Sequence, residues 1–148
     1  MKALTLTPKE VASVRTQIDT NARASQRFKR LSAIAWRDAA IVSLLFSGLT
    51  SKEICELRLA DLKFSKLVVA PRWGGRRTVK LDAETRKYLD HYLESVEPEE
   101  RAMLFLSQRG KVINVRTIER MISKLGDQVG LYLVPSRLTI SASEESGS

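Results

Sequence analysis

The feature that most constrains the fold of this chain is an almost continuously apolar run from Ala39 to Phe46. The run is too long for a typical strand, and Gly48, a residue type that commonly ends helices, follows it closely. We therefore predict a buried helix over this segment.

Further helices are predicted from their capping signals. Thr7 is followed by Pro8 at the first helical position and by Glu10, which completes a capping box. Thr50 or Ser51 is the predicted N-cap of the segment "SKEICELRL". The segment "DAETRKYLDHYLESV" has an amphipathic helical pattern. Asn114 is the predicted cap of the last clear helix, whose apolar face comprises Ile118, Met121, Ile122 and Leu125.

The periodicity changes from helical to alternating at Lys66. Two short β-prone runs, "KLVVAP" and "RTVKL", flank the turn "RWGG", whose glycines permit positive φ angles. This predicts one antiparallel hairpin that pairs Leu67–Ala70 with Arg76–Leu81. The fold class is therefore α+β and mainly helical, with a folded domain over residues 1–140 and a small, polar, disordered tail over 141–148.

The charge balance indicates a polyanionic partner. The chain has 25 Lys and Arg against 17 Asp and Glu, a formal net charge of +8, and nucleic acid is the commonest partner of such a surface. Cys55 is the only cysteine, which excludes an internal disulfide and suggests a cytoplasmic protein. We expect it to be a small buried residue, and we expect His91, the sole histidine, on a helix surface. No metal, cofactor or membrane segment is predicted.

The order of these segments resembles a known family. It runs from "RDAAIVSLLFSGLTSKEICELRLADL" through the basic hairpin to "LFLSQRGK", "VRTIERMI" and "PSRLT". Together the segments resemble the catalytic domain of the tyrosine recombinases, the phage integrase and Xer/Cre-type family, from about Leu4 to about Leu138. In that family a tyrosine attacks a DNA phosphodiester, two arginines and a histidine stabilise the developing charge, and a hairpin lysine protonates the leaving oxygen.

The chain departs from the family pattern at each catalytic position. Thr50 stands at the first arginine, Arg72 at the lysine, Ser136 at the histidine and Thr139 at the second arginine. No tyrosine follows Tyr132, and the sequence ends before the helix expected to carry the nucleophile. The resemblance therefore implies an inactive relative, not an enzyme. It also implies that Glu53, which supports the first arginine in relatives, has lost its partner.

The resemblance implies double-stranded DNA as the partner and suggests three groups of contacts. The first is the hairpin, with Arg72, Trp73, Arg76 and Arg77 along the DNA backbone. The second is the start of the last helix, with Arg116, Thr117 and Arg120 near the major groove. The third is Lys52, which would contact phosphate beside the lost arginine.

We therefore expect an inactive, DNA-binding protein of a mobile element or plasmid that controls recombination or integration, or that regulates transcription. One alternative is a subunit that associates with itself or with an active recombinase and modulates it. Another is a helix-turn-helix regulator, because "GLTSKEICELRLADL" also resembles the opening of the LuxR-type module. A decayed gene fragment is the remaining alternative.

Overall fold

The computed structural model describes residues 5–69, 75–95, 103–107 and 110–146. The elements in chain order are α1 (Pro8–Ala24), α2 (Lys29–Phe46), α3 (Ser51–Glu56), β1 (Lys66–Val69), β2 (Arg77–Lys80), α4 (Ala83–Ser95), α5 (Val115–Val129) and α6 (Pro135–Ser146). A 3₁₀ turn, Leu59–Asp61, connects α3 to the hairpin. The mainly helical α+β class predicted from the sequence is confirmed.

Helix α2 is the centre of the domain. It packs against α1, α3, α4 and α6, and every residue from Ala39 to Phe46 is buried, so its C-terminal half is covered on all sides. Its fully buried residues, each 0% exposed, are Ala39, Ala40, Ile41, Val42, Leu44 and Leu45. The predicted buried helix is confirmed, and its apolar run is explained by neighbours that surround it. The helix ends at Phe46, and Gly48 then adopts φ +102°.

Capping boxes begin both α1 and α3. The box at Thr7 is predicted from the sequence, and at α3 the structure selects Thr50 over Ser51 as the cap. The Thr7 hydroxyl accepts the Glu10 backbone N–H over 3.1 Å, and the Glu10 carboxylate accepts the Thr7 backbone N–H over 2.9 Å. Thr50 and Glu53 repeat this arrangement at 3.2 and 3.0 Å. Each box satisfies two backbone donors that a helix start would otherwise leave without partners.

The predicted hairpin is confirmed as an antiparallel pair of strands. Lys66 lies opposite Lys80, and the register continues to Val69 opposite Arg77. Leu67 and Val69 face the core, where both are buried. Ala70, Arg72 and Trp73 lie outside the described residues.

The helix-turn-helix alternative requires a recognition helix soon after α3. Residues 57–69 instead form the 3₁₀ turn and β1. The helix-turn-helix interpretation is therefore wrong for this part of the chain.

The end of the chain differs from its predicted state. Helix α6 continues to Ser146, whereas the sequence predicts a disordered tail from residue 141. Ser141 is buried, and its hydroxyl accepts the Leu6 backbone N–H over 2.9 Å while donating to the Arg137 carbonyl. Because Ser141 has these two partners, its small polar side chain belongs to the folded domain.

Within the described ranges, no helix is both long and apolar enough to cross a bilayer. Among the same residues, no group of three or more His, Cys, Asp or Glu side chains is placed to hold a metal ion.

Candidate nucleic-acid interface

The two positions at which the resemblance implies arginines lie close together in the structure. Thr50 is the N-cap of α3, and its hydroxyl accepts the Glu53 backbone N–H. Thr139 lies on α6 and donates its hydroxyl to the carbonyl of Leu49, the residue before Thr50, over 2.8 Å. Both hydroxyls are thus engaged within the fold, and neither carries the positive charge of a guanidinium.

Ser136 and His91 do not come together at this site. Ser136 is exposed in the first turn of α6, and nothing in that turn supplies an imidazole. His91 lies on α4, where its ring stacks on Trp36 with centroids 4.1 Å apart. The histidine that the sequence predicts on a helix surface is therefore half-buried and packed against an aromatic ring of α2.

The structure corrects the expectation that Glu53 lacks a partner. Arg77 on β2 forms a bidentate ion pair with it, with Nη1 2.7 Å from Oε2 and Nη2 3.0 Å from Oε1. Hydrogen bonds from Arg77 hold the pKa of the Glu53 carboxyl below its ordinary value, although partial burial opposes them. This ion pair joins the hairpin to α3, which sequence patterns do not reveal because the residues are 24 positions apart.

Two other predicted contact residues, Lys52 on α3 and Arg76 in the hairpin, are available to a ligand. Lys52 and Arg76 are exposed, and neither forms an ion pair or a hydrogen bond with the residues that the structure describes. Arg72 and Trp73, the other predicted hairpin contacts, lie outside the described residues. Of the predicted hairpin contacts that the structure describes, Arg76 is free and Arg77 is paired, and Lys52 on α3 is a second free cation.

The second predicted surface is the start of α5. Arg116 and Arg120 are exposed on this helix. Thr117 has a structural role instead, because its backbone N–H and its hydroxyl both donate to Asn114 Oδ1, over 2.9 and 3.1 Å. The predicted DNA contact through Thr117 would compete with that cap.

One further cation on this helix is not among the contacts predicted from the sequence. Lys124 is exposed and follows Arg116 and Arg120 at intervals of four residues. Residues four apart share a helix face, so these three cations form a stripe about 12 Å long. The i, i+4, i+8 spacing of the three basic residues was a readable signal in the sequence.

One arginine of α2 is buried. Arg37 on α2 donates to the Leu106 carbonyl over 3.1 Å and to Asp38 Oδ1 over 2.9 and 3.1 Å. Its side chain is only 6% exposed. Burial raises the pKa of the Asp38 carboxyl, and Arg37 opposes that rise. Arg37 therefore links α2 to the segment 103–107, and its guanidinium is almost inaccessible to an external anion.

Cys55 fits the small, unreactive residue that the sequence predicts, although it is only partly buried. Burial raises the pKa of its thiol to about 11, so that the thiol stays protonated at neutral pH.

Solved structures with the same architecture include recombinases and an integrase. The XerA recombinase has a TM-score of 0.71 at 26% identity, covering 96% of this chain and 50% of its own. The XerH recombinase bound to palindromic difH substrate has a TM-score of 0.78, covering 98% of this chain and 43% of its own; at 17% identity it shows the fold alone. The lambda integrase catalytic core has a TM-score of 0.64 at 16% identity, and 81% of it is covered. The fold is that of a tyrosine recombinase catalytic domain.

The chain belongs to the phage integrase family, whose model matches residues 5–142. It is 36% identical over 93 residues to the tyrosine recombinase XerC of Caldanaerobacter subterraneus subsp. tengcongensis, which covers 60% of this chain and 26% of that protein. It is 30% identical over 113 residues to the tyrosine recombinase XerS of Streptococcus uberis, which covers 69% of this chain and 32% of that protein. The chain thus spans no more than a third of the length of these relatives. The family resemblance predicted from the sequence is confirmed.

Proposed function

We propose that this domain binds duplex DNA through backbone phosphates, does not cleave it, and acts in the control of DNA recombination or integration. Membership of the phage integrase family supports the DNA partner, as does the net charge of +8. The exposed cations supply donors on two surfaces: Lys52 and Arg76 near the hairpin, and Arg116, Arg120 and Lys124 on α5.

The proposal that the domain does not cleave DNA is supported by one observation. Threonines occupy the two positions at which the family resemblance implies arginines. Thr50 and Thr139 are neutral, and their hydroxyls are bonded to Glu53 and Leu49 within the fold. A phosphoryl-transfer transition state gathers negative charge on its oxygens, which preorganised cationic donors stabilise far better than neutral hydroxyls. Ser136 adds a third neutral side chain at the position that the resemblance assigns to histidine.

The proposal is tested by fluorescence anisotropy with a random duplex of about 20 bp at two salt concentrations. We expect weak binding, with a dissociation constant of about 10⁻⁴–10⁻⁶ M at physiological salt, and a clear loss of affinity as salt rises. Absence of binding even at low salt would contradict the proposal. A modulator that binds an active recombinase would then become the leading interpretation, and co-sedimentation with a relative such as XerC would test it.

A further inference from the structure

The ion pair between Glu53 and Arg77 differs from ordinary surface pairs in how closely it fixes the arginine. Both carboxylate oxygens of Glu53 accept from Arg77, and Oε1 also accepts the Thr50 backbone N–H over 3.0 Å. The Glu53 side chain is 14% exposed, whereas that of Arg77 is 41% exposed. The carboxylate is therefore held by α3, and the guanidinium extends from it toward solvent.

The guanidinium retains unused donors in this arrangement. Arginine has five N–H groups in a rigid planar fork, and Glu53 takes two of them. Among the residues that the structure describes, no other group accepts from Arg77. Three N–H groups of an oriented, half-exposed guanidinium thus remain for an external acceptor. Non-bridging phosphate oxygens match that fork geometrically.

The surroundings favour an anion at this place. Lys52 adjoins Glu53 in the chain, Arg76 adjoins Arg77, and both cations are exposed and unpaired within the described residues. The Glu53–Arg77 pair is neutral as a unit. Lys52 and Arg76 outnumber Glu56, the other acidic residue of α3, so this part of the surface keeps a net positive charge. An isolated anion-binding arginine would lose side-chain freedom on binding, but Arg77 is already restrained by Glu53.

We infer that Glu53 is a positioning residue that holds Arg77 for a contact with one phosphodiester group of the DNA backbone. The inference rests on the proposed DNA binding and specifies how one contact is made. The rival interpretation is that Glu53 neutralises Arg77 and removes it from DNA binding. The two differ in sign: loss of the Glu53 charge weakens DNA binding if the residue positions Arg77, and strengthens it if the residue only neutralises.

The test compares Glu53→Gln with Glu56→Gln by anisotropy on the same random duplex at several salt concentrations. Each variant removes one negative charge from α3, and Glu56 is exposed with no ion pair among the described residues. In Glu53→Gln the side-chain amide oxygen can still accept the Thr50 N–H, which preserves the helix cap. Far-UV circular dichroism and thermal unfolding verify the fold of each variant.

We expect Glu53→Gln to weaken binding by about three- to tenfold and to reduce the salt slope by about one, despite the more favourable net charge. Glu56→Gln should bind as the wild type does or slightly more tightly. Arg77→Lys, which keeps the charge but loses the bidentate fork, should weaken binding to a similar extent, and the double variant Glu53→Gln/Arg77→Lys should be no weaker than either single variant.

Binding by folded Glu53→Gln that equals or exceeds that of the wild type would overturn the inference and leave DNA binding itself intact. If Glu53→Gln does not fold, the Arg77→Lys variant tests the inference instead. Wild-type affinity in Arg77→Lys would also overturn the positioning role. A wild-type domain that binds no duplex at low salt would overturn the proposed function and this inference with it.

Discussion

The hydroxyl of Thr139 donates a hydrogen bond to the backbone carbonyl of Leu49 and ties α6 to the residue that precedes Thr50. Two segments that are far apart in the chain thereby meet at the place where the family resemblance implies a pair of arginines. Both positions are filled by threonines whose hydroxyls serve the fold.

From this arrangement we expect no covalent protein–DNA adduct with a nicked suicide duplex, measured as an SDS-resistant band, under conditions in which an active XerC serves as positive control. Thr50→Arg alone should also give none, because catalytic groups that act as a unit are not rescued by restoring one member. An adduct formed by the wild-type chain would contradict the proposal that it does not cleave DNA.

Phosphate contacts by the free cations near the hairpin predict a specific salt response. The double variant Lys52→Ala/Arg76→Ala should bind every duplex sequence more weakly, with a salt slope reduced by about two, since each lost phosphate contact removes about 0.9 from it. The matched control, Lys9→Ala/Lys87→Ala, removes two exposed cations from α1 and α4. An equal loss in both double variants would show that only net charge matters.

The stripe on α5 predicts sequence preference. If the start of α5 enters the major groove, Arg116→Ala or Arg120→Ala should cost ~1–3 kcal/mol on a preferred site selected from a random library, and little on other duplexes. Lys111→Ala, at an exposed cation just before the helix, is the control and should weaken all sequences alike. If Arg116→Ala and Arg120→Ala weaken binding to all duplex sequences equally, the two arginines contact phosphates and not bases.

The Glu53–Arg77 pair predicts a pH-dependent contribution to stability. The pKa of Glu53 is lowered in the folded state, so its contribution is present above the unfolded-state value of about 4.3 and is lost as pH falls through the folded value. Since Arg77 is 41% exposed, we expect a coupling of only about 0.5–1 kcal/mol at pH 7 in a double-mutant cycle. Urea unfolding of wild type and Glu53→Gln should differ at pH 7, and the difference should shrink as pH falls below the unfolded-state value. A difference that does not change with pH would contradict a contribution from the ionised Glu53 carboxylate.

The junction between α5 and α6 predicts a strict requirement for glycine at position 126. A Cβ atom there would lie 2.5 Å from the Leu131 carbonyl oxygen, and that backbone is held by the Leu131 N–H bond to the Gly126 carbonyl. Gly126→Ala should therefore lower the free energy of unfolding by about 1–3 kcal/mol, although alanine favours helices. Ser123→Ala on the exposed face of the same helix is the control and should be neutral or slightly stabilising. Equal stability in the two variants would mean that the junction relaxes easily.

Sequence alone determined the features whose causes act within a few residues. The capping box at Thr7 involves a partner three positions away, the cap of α3 lies within the two residues Thr50 and Ser51, and the hairpin follows from alternation within short runs. The buried state of α2 was also readable, because a helix that is apolar on every side needs neighbours on every side to cover it. The family resemblance assigns both α3 and the "PSRLT" segment to one catalytic site, which implies that they lie close together.

Only the tertiary structure decided which distant groups became partners. Arg77 pairs with Glu53, the Leu6 backbone N–H donates to Ser141, and the His91 ring stacks on Trp36. A carboxylate, a hydroxyl or an imidazole can bond to many groups, and the choice depends on which elements packing brings within about 3–4 Å. Local sequence patterns do not determine these long-range partners. For that reason they predict neither the partner of Glu53 nor the ordered state of Ser141.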